Sequence, residues 1–333
     1  MTAAALRQEL EATARRAGLV AAIDLLRTRA DAGEVPALEM LAHWHLWGSY
    51  VPRDAAAGHA ALTRASEAGS VEATLTRAAL LATGTGVAEN PAAAFEVVRT
   101  LADCSPLAAR QIALMEAQPV GCPARVVQAD PYVAVIEGLL SAAECRYLID
   151  TIGPRVQPSM VVDPATRRRI PNPVRDSHGT NVSPVEEDVV VNTINRRIAT
   201  ATGTDWTQGE PLHLLRYAAG QQYKPHLDAL PGVDNQRSVT VLLYLNDAFT
   251  GGETWFKGGL TLRGRTGDAI VFRNLDDDGQ IDRRTEHAGL PVTSGTKWLA
   301  TRWIRERSFD PWSGRAAWGP WTTPPAAPRW ISG

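Results

Sequence analysis

The sequence predicts an α+β chain of two domains, an N-terminal α-solenoid of helical repeats followed by a domain built mainly of β-strands. The length of 333 residues exceeds the ~100–200 residues of one typical domain. Residues 1–118 are rich in Ala and Leu at helical spacing, whereas short apolar runs separated by Gly, Asn and Asp follow Gly209. Such runs are typical of a β-sandwich or barrel. At 44% hydrophobic and 21% charged residues, the chain is neither fibrous nor wholly disordered.

The helical region carries an internal repeat. A shift of 36 residues superimposes three sets of positions, which are Ala32–Ala37 on Ala68–Ala73, Gly48 on Gly84, and Asp54 on Asn90. A fixed period in this range, built from two helices, is typical of an α-solenoid. The segment 81–87, Leu-Ala-Thr-Gly-Thr-Gly-Val, resembles the Sel1-like branch of the tetratricopeptide family over about two and a half repeats. The alternative is an Ala-rich helical bundle without a true repeat.

The expected organisation has four parts, which are helical repeats at 1–118, a linker at 119–130, the β-rich domain at 131–309 and a Trp- and Pro-rich tail at 310–333. Ser141 and Glu144 form a capping box that predicts a helix ending near Gly153. A long loop is expected at 154–184, and a second helix at 185–200. Strands are predicted at 132–136, 212–217, 238–245, 254–256, 269–272 and 297–303.

Charge and cysteine usage exclude several classes of protein. The net charge of −2 and the pI near 6.4 do not indicate the excess of positive charge that binding to nucleic acid or to an anionic membrane requires. No apolar run approaches the ~18 residues of a membrane-spanning helix, and the N-terminus lacks a signal-peptide pattern. The three cysteines form no CxxC pattern, so neither a disulfide framework nor a zinc site is indicated. We therefore expect a soluble, cytoplasmic protein.

Two histidines and one aspartate are the candidate metal ligands. His226 and Asp228 stand two residues apart, so on extended backbone both side chains point to the same face. A His-x-Asp pair alone is usually incidental. With His287 added, two imidazoles and one carboxylate form the ligand set that suits non-haem Fe(II) with open coordination positions. A closed zinc site would require a fourth protein ligand.

Lys297 is the candidate anion-binding residue. It lies on an apolar strand, where the period of two places Lys297, Leu299, Thr301 and Trp303 on one face. An ammonium group facing into a β-barrel requires a compensating anion, because burying an unpaired charge costs several kcal/mol. The alternative is a lysine on an edge strand whose amine reaches solvent.

Five segments together resemble the prolyl 4-hydroxylase-type 2-oxoglutarate/Fe(II) dioxygenases. They are Arg-Asp-Ser-His-Gly at 175–179, Arg-Tyr-Ala-Ala-Gly-Gln-Gln-Tyr-Lys-Pro-His-Leu-Asp at 216–228, Arg-Ser-Val-Thr at 237–240, Gly-Gly-Glu-Thr at 251–254, and the segment 287–298. The resemblance covers about residues 131–306. It implies a double-stranded β-helix, or jelly roll, flanked by helices.

The resemblance also implies roles for individual residues. His226, Asp228 and His287 bind Fe(II), and Lys297 pairs with the distal carboxylate of 2-oxoglutarate. The hydroxyls of Tyr217 and Thr254 support that carboxylate, and Arg237 and Trp303 match catalytic positions close to the active site. For the last two, the alternatives are a structural ion pair and a core position, and Tyr223 is either a site residue or packing only.

The implied activity is hydroxylation of an unactivated C–H bond with decarboxylation of 2-oxoglutarate to succinate and CO₂. Fe(II), 2-oxoglutarate and O₂ are the expected cofactors, with ascorbate as a supporting reductant. The carboxylate of Asp228 favours hydroxylation over halogenation, because the related halogenases lack it.

A peptide or protein, hydroxylated on a prolyl or other residue, is the expected substrate and partner. The basic segment 159–178 is a candidate lid, and the helical repeats would offer a surface to a protein partner. The alternatives are a free amino acid or small metabolite, a repeat-based scaffold with an idle oxygenase fold, and a zinc-binding cupin-like module.

Overall fold

The computed structural model describes residues 1–117, 123–162, 169–171 and 174–312. Part of the expected linker, part of the candidate lid at 159–178 and the tail beyond Trp312 lie outside these residues. The described chain forms two compact units. One contains Met1–Glu116 and Pro184–Asn192. The other contains the described residues of 117–183 and of 193–312.

The first unit is a series of helices, each packed on the next one in the sequence. Their bounds are α1 (Ala3–Ala17), α2 (Leu19–Asp31), α3 (Val35–Trp47), α4 (Ala55–Glu67), α5 (Val71–Thr83), α6 (Pro91–Arg99) and α7 (Pro106–Glu116). Their buried faces consist largely of Ala and Leu, which allow close approach of neighbouring helices.

Equivalent positions of the sequence repeat have equivalent structures. The helices α3 and α5 both end at a glycine in the left-handed conformation, Gly48 at φ 64° and Gly84 at φ 70°. The helices α4 and α6 both begin after a residue whose side chain accepts a backbone N–H three residues later, Asp54 and Asn90. The repeat and the solenoid predicted from it are therefore confirmed.

The second unit contains most of the strands. In chain order its elements are β1 (Arg125–Gln128), β2 (Val133–Ile136), α8 (Ala142–Ile152), β3 (Gln157–Pro158), β4 (Met160–Val162), β5 (Arg169–Pro171), β6 (His178–Asn181), α9 (Val189–Thr202), β7 (His213–Ala218), β8 (Tyr223–His226), β9 (Arg237–Tyr244), β10 (Phe249–Gly251), β11 (Thr254–Phe256), β12 (Thr261–Leu262), β13 (Ala269–Arg273), β14 (His287–Gly289) and β15 (Val292–Arg305). The boundary between the two units falls within α9.

The strands form two antiparallel sheets and a short hairpin. The larger sheet has the order β1-β2-β13-β9-β15-β7-β6-β3, with β10 paired to β15, and the smaller sheet has the order β12-β11-β14-β8. The hairpin consists of β4 and β5. Phe256 of the smaller sheet packs edge-on against Phe272 of the larger one, with ring centroids 5.1 Å apart. This two-sheet arrangement is the predicted jelly roll.

Several local expectations require correction. The segment expected to be a linker contributes strand β1, which pairs with β2. The stretch expected to be a long loop contains the short strands β3 to β6 within its described residues, and the following helix spans Val189–Thr202. The capping box of Ser141 and Glu144 is present as predicted, at the start of α8.

Among the helices that the structure describes, none combines the length and the apolar character that crossing a bilayer requires.

Candidate active site

Strand pairing brings the two candidate histidines together. His226 ends β8 and His287 begins β14, and the two residues are direct partners in the antiparallel pairing of these strands. Side chains of directly opposed residues lie on the same face of a sheet. Asp228 follows β8 by two residues, so the period of two keeps its carboxylate on the face of His226.

The three side chains converge on one point. The Nε2 atom of His226 lies 3.7 Å from Oδ1 of Asp228, and Nε2 of His287 lies 3.6 Å from Oδ2. One ligand atom from each residue lies within 4.8 Å of the others, and among the described residues this is the one group of three with that property. His287 and Asp228 are buried, and His226 is half-buried. The geometry therefore leaves room for a single ion between them.

Backbone carbonyls orient both imidazole rings. Nδ1 of His226 lies 2.8 Å from the carbonyl oxygen of Lys224, and Nδ1 of His287 lies 3.1 Å from that of Thr285. A carbonyl oxygen only accepts, so each Nδ1 carries the proton and donates it. The lone pair of each Nε2 is then free for a metal ion, which is how a second hydrogen bond usually fixes a ligating histidine.

The Asp228 carboxylate has its own support. Its Oδ2 accepts a hydrogen bond of 2.8 Å from the hydroxyl of Thr240, and that hydroxyl accepts one of 2.9 Å from Nδ2 of Asn274. Thr240 and Asn274 are almost completely buried. Nη1 of Arg237 donates to the backbone carbonyl of Asp228 at 3.3 Å.

The protonation states suit a cation. Burial and the neighbouring His287 lower the pKa of His226 to about 4, so its ring is neutral at physiological pH. Burial alone would raise the pKa of Asp228, but the adjacent His287 and His226 hold it below its ordinary value. A neutral imidazole at His226 and an ionised carboxylate at Asp228 are groups that suit Fe(II) as ligands.

Lys297 is buried, with only 3% of its surface exposed, although it carries an ammonium group. Its Nζ donates a hydrogen bond of 2.7 Å to the carbonyl of Gly252 and lies 4.9 Å from the ring centre of Tyr244. No carboxylate of the described chain lies within 4.0 Å of Nζ. Burial lowers the pKa of Lys297 to about 7, although the charge of Glu253 opposes this change. A bound anion would restore the ordinary preference for the charged form.

Two tyrosine rings lie near this ammonium, and Thr254 lines the same pocket. Thr254 Oγ1 lies 2.9 Å from the hydroxyl of Tyr244, and both residues are buried. Tyr217 pairs with Lys297 across β7 and β15, and its ring centre lies 5.8 Å from Nζ. Burial raises the pKa of Tyr244 to about 12 and that of Tyr217 further still, so both phenols keep their protons and can donate.

One pocket joins the histidine–aspartate group to Lys297. Its lining includes the following residues: Arg175, Leu215, Tyr217, Tyr223, His226, Asp228, Leu242, Thr254, His287, Gly289, Lys297, Leu299, Thr301 and Trp303. The predicted inward face of β15 is therefore confirmed, since all four of its residues line the pocket. Arg237 is the one predicted site residue outside this lining.

Arg237 lies behind the pocket, where it makes a two-pronged ion pair with Glu210 at 2.6 and 2.8 Å. Its guanidinium also lies over the ring of Trp303, 4.0 Å from the centroid. Its contact to the Asp228 carbonyl also holds the backbone of a candidate metal ligand. These contacts are those of the structural ion pair given as the alternative, and the catalytic role of Arg237 stays a prediction.

Trp303 lines the pocket and carries one polar side-chain atom, the indole Nε1. Its Nε1 is buried and has no hydrogen-bond partner in the part of the chain that the structure describes, and the indole N–H can only donate. Tyr223 also lines the pocket, stacked on the ring of His226 with centroids 3.4 Å apart, and the guanidinium of Arg175 lies 5.2 Å from the Tyr223 ring centre. Tyr223 thus contacts a candidate ligand and is not packing alone.

Sequence reasoning missed three residues that support the site. Thr240 and Tyr244 alternate with other residues along β9, so the period of two could have placed them on the inner face with Leu242. No pattern pointed to Asn274, which follows β13 and reaches Thr240 only in the folded sheet.

Comparison with known proteins identifies a family model and several relatives that are similar to this chain. The model of the 2OG-Fe(II) oxygenase superfamily matches residues 212–305. Prolyl 4-hydroxylase 1 of Arabidopsis thaliana is 37% identical over 203 residues, which cover 55% of this chain and 72% of that protein. Probable prolyl 4-hydroxylase 3 of the same plant is 35% identical over 204 residues, which cover 54% and 71%.

Two solved structures are also similar to parts of the chain. A viral collagen prolyl hydroxylase from Paramecium Bursaria Chlorella virus-1, in its 2OG complex, has 28% identity and a TM-score of 0.42, covering 54% of this chain and 98% of that one. A Sel1 repeat protein from Oxalobacter formigenes has 22% identity and a TM-score of 0.29, covering 33% of this chain and 87% of that one.

The matched segment of the family model contains both histidines, the aspartate and Lys297. The similarity to the two Arabidopsis proteins covers most of the length of each of them. The chain therefore belongs to the 2OG-Fe(II) oxygenase superfamily, as a dioxygenase of the prolyl 4-hydroxylase type.

Proposed function

We propose that this dioxygenase hydroxylates a prolyl or other residue of a peptide or protein, with conversion of 2-oxoglutarate to succinate and CO₂. The observation that carries the proposal is one pocket that joins three convergent metal-binding side chains to a buried ammonium, which has no carboxylate partner within the described ranges. Neither feature alone would distinguish a dioxygenase from a simpler metal-binding module.

His226, Asp228 and His287 would hold Fe(II). Two imidazole nitrogens and one carboxylate oxygen leave coordination positions open for other molecules, as in non-haem Fe(II) oxygenases. The backbone hydrogen bonds to both Nδ1 atoms keep the rings in the required tautomer. When bound, Fe(II) supplies the activation of O₂ for the reaction.

Lys297 would bind the distal carboxylate of 2-oxoglutarate. Its ammonium lies on the same pocket as the metal ligands, and Tyr217 and Thr254 also line that pocket. Their hydroxyls would donate further hydrogen bonds to the carboxylate. A charge-assisted pair in this buried setting is stronger than one in water. The dianion would also remove the unfavourable burial of a lone positive charge.

The overall reaction balances in atoms and electrons. One oxygen atom of O₂ enters the carboxylate of succinate, and the other enters the hydroxyl group that replaces a hydrogen of the substrate. The keto acid loses CO₂ and is the two-electron reductant, so no further co-reactant is needed in a productive cycle. Ascorbate would serve only to keep the iron reduced.

Three observations support a peptide over a small metabolite. The relatives carry the name prolyl 4-hydroxylase. Trp303 offers the pocket an indole N–H that is unpaired among the residues described, and such a donor suits a peptide carbonyl. A helical-repeat unit also precedes the oxygenase domain, and such units commonly bind proteins. We propose that the repeats dock the substrate protein or a second partner.

A cytoplasmic location is part of this proposal, because Cys104 and Cys145 are free thiols, and free thiols are usual in a reducing compartment.

Succinate formation tests the proposal. The full chain is incubated with Fe(II), ascorbate, 2-oxoglutarate and proline-containing peptides, alongside D228A and K297M variants. Both variants should lose 2-oxoglutarate turnover. K257M is the matched control, because Lys257 is an exposed lysine paired with Glu286. It removes the same charge without touching the pocket.

The results separate the competing functions. Equal succinate from wild type and D228A, with every peptide, would support a scaffold with an idle oxygenase fold. Stoichiometric zinc in the purified protein, with no response to 2-oxoglutarate, would support a cupin-like zinc module. Turnover stimulated by free amino acids but not by peptides would identify a small-molecule hydroxylase.

A further inference from the structure

His213 is a buried histidine that the proposed reaction leaves without a role. It begins β7, only 8% of its surface is exposed, and its Nδ1 lies 2.7 Å from Oδ1 of Asn181. An amide oxygen only accepts, so Nδ1 carries the proton and Nε2 is left with a lone pair. No described residue donates a hydrogen bond to that Nε2. Because buried polar groups are almost always paired, this acceptor requires an explanation.

The ring of His213 is neutral and has a space made for it. Burial, together with the charges of Arg175 and Arg237, holds the pKa of His213 well below its ordinary value. Nε2 is therefore an acceptor at physiological pH. The ring fits beside β6 because Gly179 has no side chain, and a Cβ atom built there would lie 2.9 Å from Nε2.

Strand pairing places His213 on the face of the sheet that forms the pocket. His213 is the direct partner of Thr301 on β15, and directly opposed residues share a face. Thr301 lines the pocket, as do Leu215 and Tyr217, which follow His213 at steps of two along β7. His213 is therefore the next inward residue of β7, at the end of the pocket beyond Leu215.

Trp303 supplies a donor next to this acceptor. The rings of His213 and Trp303 have centroids 5.7 Å apart, and no described residue accepts a hydrogen bond from the indole Nε1. One end of the pocket therefore holds a buried donor and a buried acceptor that are both unpaired within the described chain. Such a pair fits a ligand group that accepts one hydrogen bond and donates another. A backbone peptide group does both.

The His213–Trp303 pair lies too far from Lys297 to bind 2-oxoglutarate. Six residues separate Lys297 from Trp303 along β15, a rise of ~20 Å. A five-carbon keto acid with one carboxylate at Lys297 is far shorter than this. Trp303 is instead the cross-strand partner of Thr240, whose hydroxyl holds the Asp228 carboxylate. The pair is therefore close to the candidate metal ligands and distant from Lys297, as a contact to the substrate would be.

We propose that His213 and Trp303 bind the peptide group that follows the hydroxylated residue, an inference that rests on the proposed function. The indole N–H donates to the carbonyl of that residue, and Nε2 of His213 accepts from the N–H of the next one. For a prolyl target the preceding peptide group cannot serve, because the nitrogen of proline carries no hydrogen. Both protein atoms are buried in the structure, so the indole ring shifts as the peptide enters and uncovers them.

His213 then determines specificity at one position of the substrate. A peptide whose target is followed by proline or by an N-methylated residue lacks the N–H that Nε2 accepts. Such a peptide leaves the acceptor unpaired, as it is in the free protein, and loses about 2–10-fold in affinity, the value of one hydrogen bond. The enzyme should therefore discriminate against a Pro-Pro step in which the first proline is the target.

Two forms of one peptide test this inference on the full chain. A single-proline peptide, the best substrate of the succinate assay, is prepared with alanine or with N-methylalanine after the proline. In the wild type, N-methylation should raise KM by about 2–10-fold with little change in kcat. In H213L, which has no acceptor, N-methylation should leave KM nearly unchanged. H213Q keeps an acceptor in its side-chain amide and should retain the discrimination.

The ratio of the two KM values within one variant separates peptide binding from stability. If His213 is only structural, H213L should change KM for both peptides by the same factor, and a ratio equal to that of the wild type would overturn the inference. H178L is the matched control, because His178 alternates with Gly179 along β6 and so lies on the other face of the sheet. It should retain the wild-type ratio.

Failure of this inference can be distinguished from failure of the proposed function. Equal KM values for the two forms in the wild type, with peptide-dependent succinate formation, would overturn the inference and leave the function intact. No peptide-dependent succinate formation with any proline-containing peptide would overturn both. This comparison requires only the wild type, so it decides the inference even if H213L does not fold.

Discussion

The hydroxyl of Thr240 donates a 2.8 Å hydrogen bond to Oδ2 of Asp228, and Nδ2 of Asn274 donates to that hydroxyl at 2.9 Å. The carboxylate therefore cannot rotate freely. Oδ1 stays near His226 and Oδ2 stays near His287, at 3.7 and 3.6 Å from their Nε2 atoms. Ligand geometry thus depends on two buried residues that do not line the pocket.

Replacing Thr240 with valine should weaken Fe(II) binding by about 10–100-fold, as is usual when a residue that orients a metal ligand is lost. Valine keeps the shape of threonine but removes the hydroxyl, so the carboxylate loses its fixed orientation. Fe(II) affinity measured without O₂, by titration in the presence of 2-oxoglutarate, checks this result.

The T240S variant is the control, because serine retains the hydroxyl and should bind Fe(II) nearly as the wild type does. Thermal unfolding of both apo variants measures the separate cost of the unpaired Asn274 amide, about 1–3 kcal/mol in T240V. Equal Fe(II) affinity in T240V and T240S would contradict an orienting role for this hydrogen bond.

Binding of 2-oxoglutarate should be coupled to proton uptake above neutral pH. The pKa of Lys297 is about 7 in the free protein because the amine is buried, so most of it is neutral at pH 8. Pairing with a carboxylate requires the ammonium form, so the apparent affinity should fall by up to about tenfold per pH unit above pH 7.

Calorimetry in two buffers with different ionisation enthalpies measures this coupling. At pH 8, close to one proton should be taken up for each 2-oxoglutarate bound, and at pH 6 close to none. The same uptake at both pH values would show that Lys297 is not the group that gains the proton.

The variant K297M should stabilise the unliganded protein while abolishing turnover. A lysine whose folded-state pKa lies below its unfolded value of 10.5 destabilises the fold most below pH 7, and this destabilisation fades as pH rises to 10.5. Removing the charge should therefore raise the free energy of unfolding by on the order of a few kcal/mol at pH 6.

At pH 10 the gain in K297M should be much smaller, because the wild-type amine is then neutral in the fold and loses little by staying buried. Denaturant unfolding at pH 6, 8 and 10 measures this trend. A gain that does not change with pH would show that better packing of methionine, not the lost charge, is responsible.

The W303F variant distinguishes a role of Trp303 in peptide binding from a role in the stability of the fold. No described residue accepts a hydrogen bond from the buried Nε1 of Trp303, so W303F removes an unsatisfied donor and should leave the unfolding free energy unchanged within about 1 kcal/mol. If that N–H donates to a peptide carbonyl, KM for the peptide should rise by about 2–10-fold, the value of one hydrogen bond. A loss of stability with unchanged KM would make Trp303 a packing residue.

Side-chain positions in the site that follow a local periodicity could be predicted from the sequence alone. The alternation along β15 placed Lys297 and Trp303 on one inward face, and the two-residue spacing placed His226 and Asp228 together. The capping box at Ser141 was equally local. In each case the relevant contacts are set by neighbours in the sequence, so a pattern of two or three residues is sufficient.

Contacts across strands were not predictable in this way. Glu210 and Arg237 meet only because their segments become neighbours in the fold, and nothing near either residue marks the other as its partner. The pairing of β1 with β2 was missed for a related reason. The residues of β1 follow Gly121 and Pro123, so in the sequence they resemble part of a linker. They form a strand because β2 supplies the backbone hydrogen bonds.

The close approach between repeats gives a prediction for the helical unit. Gly86 lies at φ 71°, and a Cβ atom built there would overlap the carbonyl oxygen of Ala55 at the start of α4. The variant G86A should therefore lower the unfolding free energy by well over the ~1–2 kcal/mol of a left-handed alanine alone, because backbone must shift to admit the methyl group. Gly33 is the matched control, since it lies at φ 81° with no atom within 4 Å of the added Cβ. Thermal unfolding followed by far-ultraviolet circular dichroism should show G33A much closer to wild type than G86A, and equal losses would mean that backbone conformation alone, not the contact with α4, requires glycine at position 86.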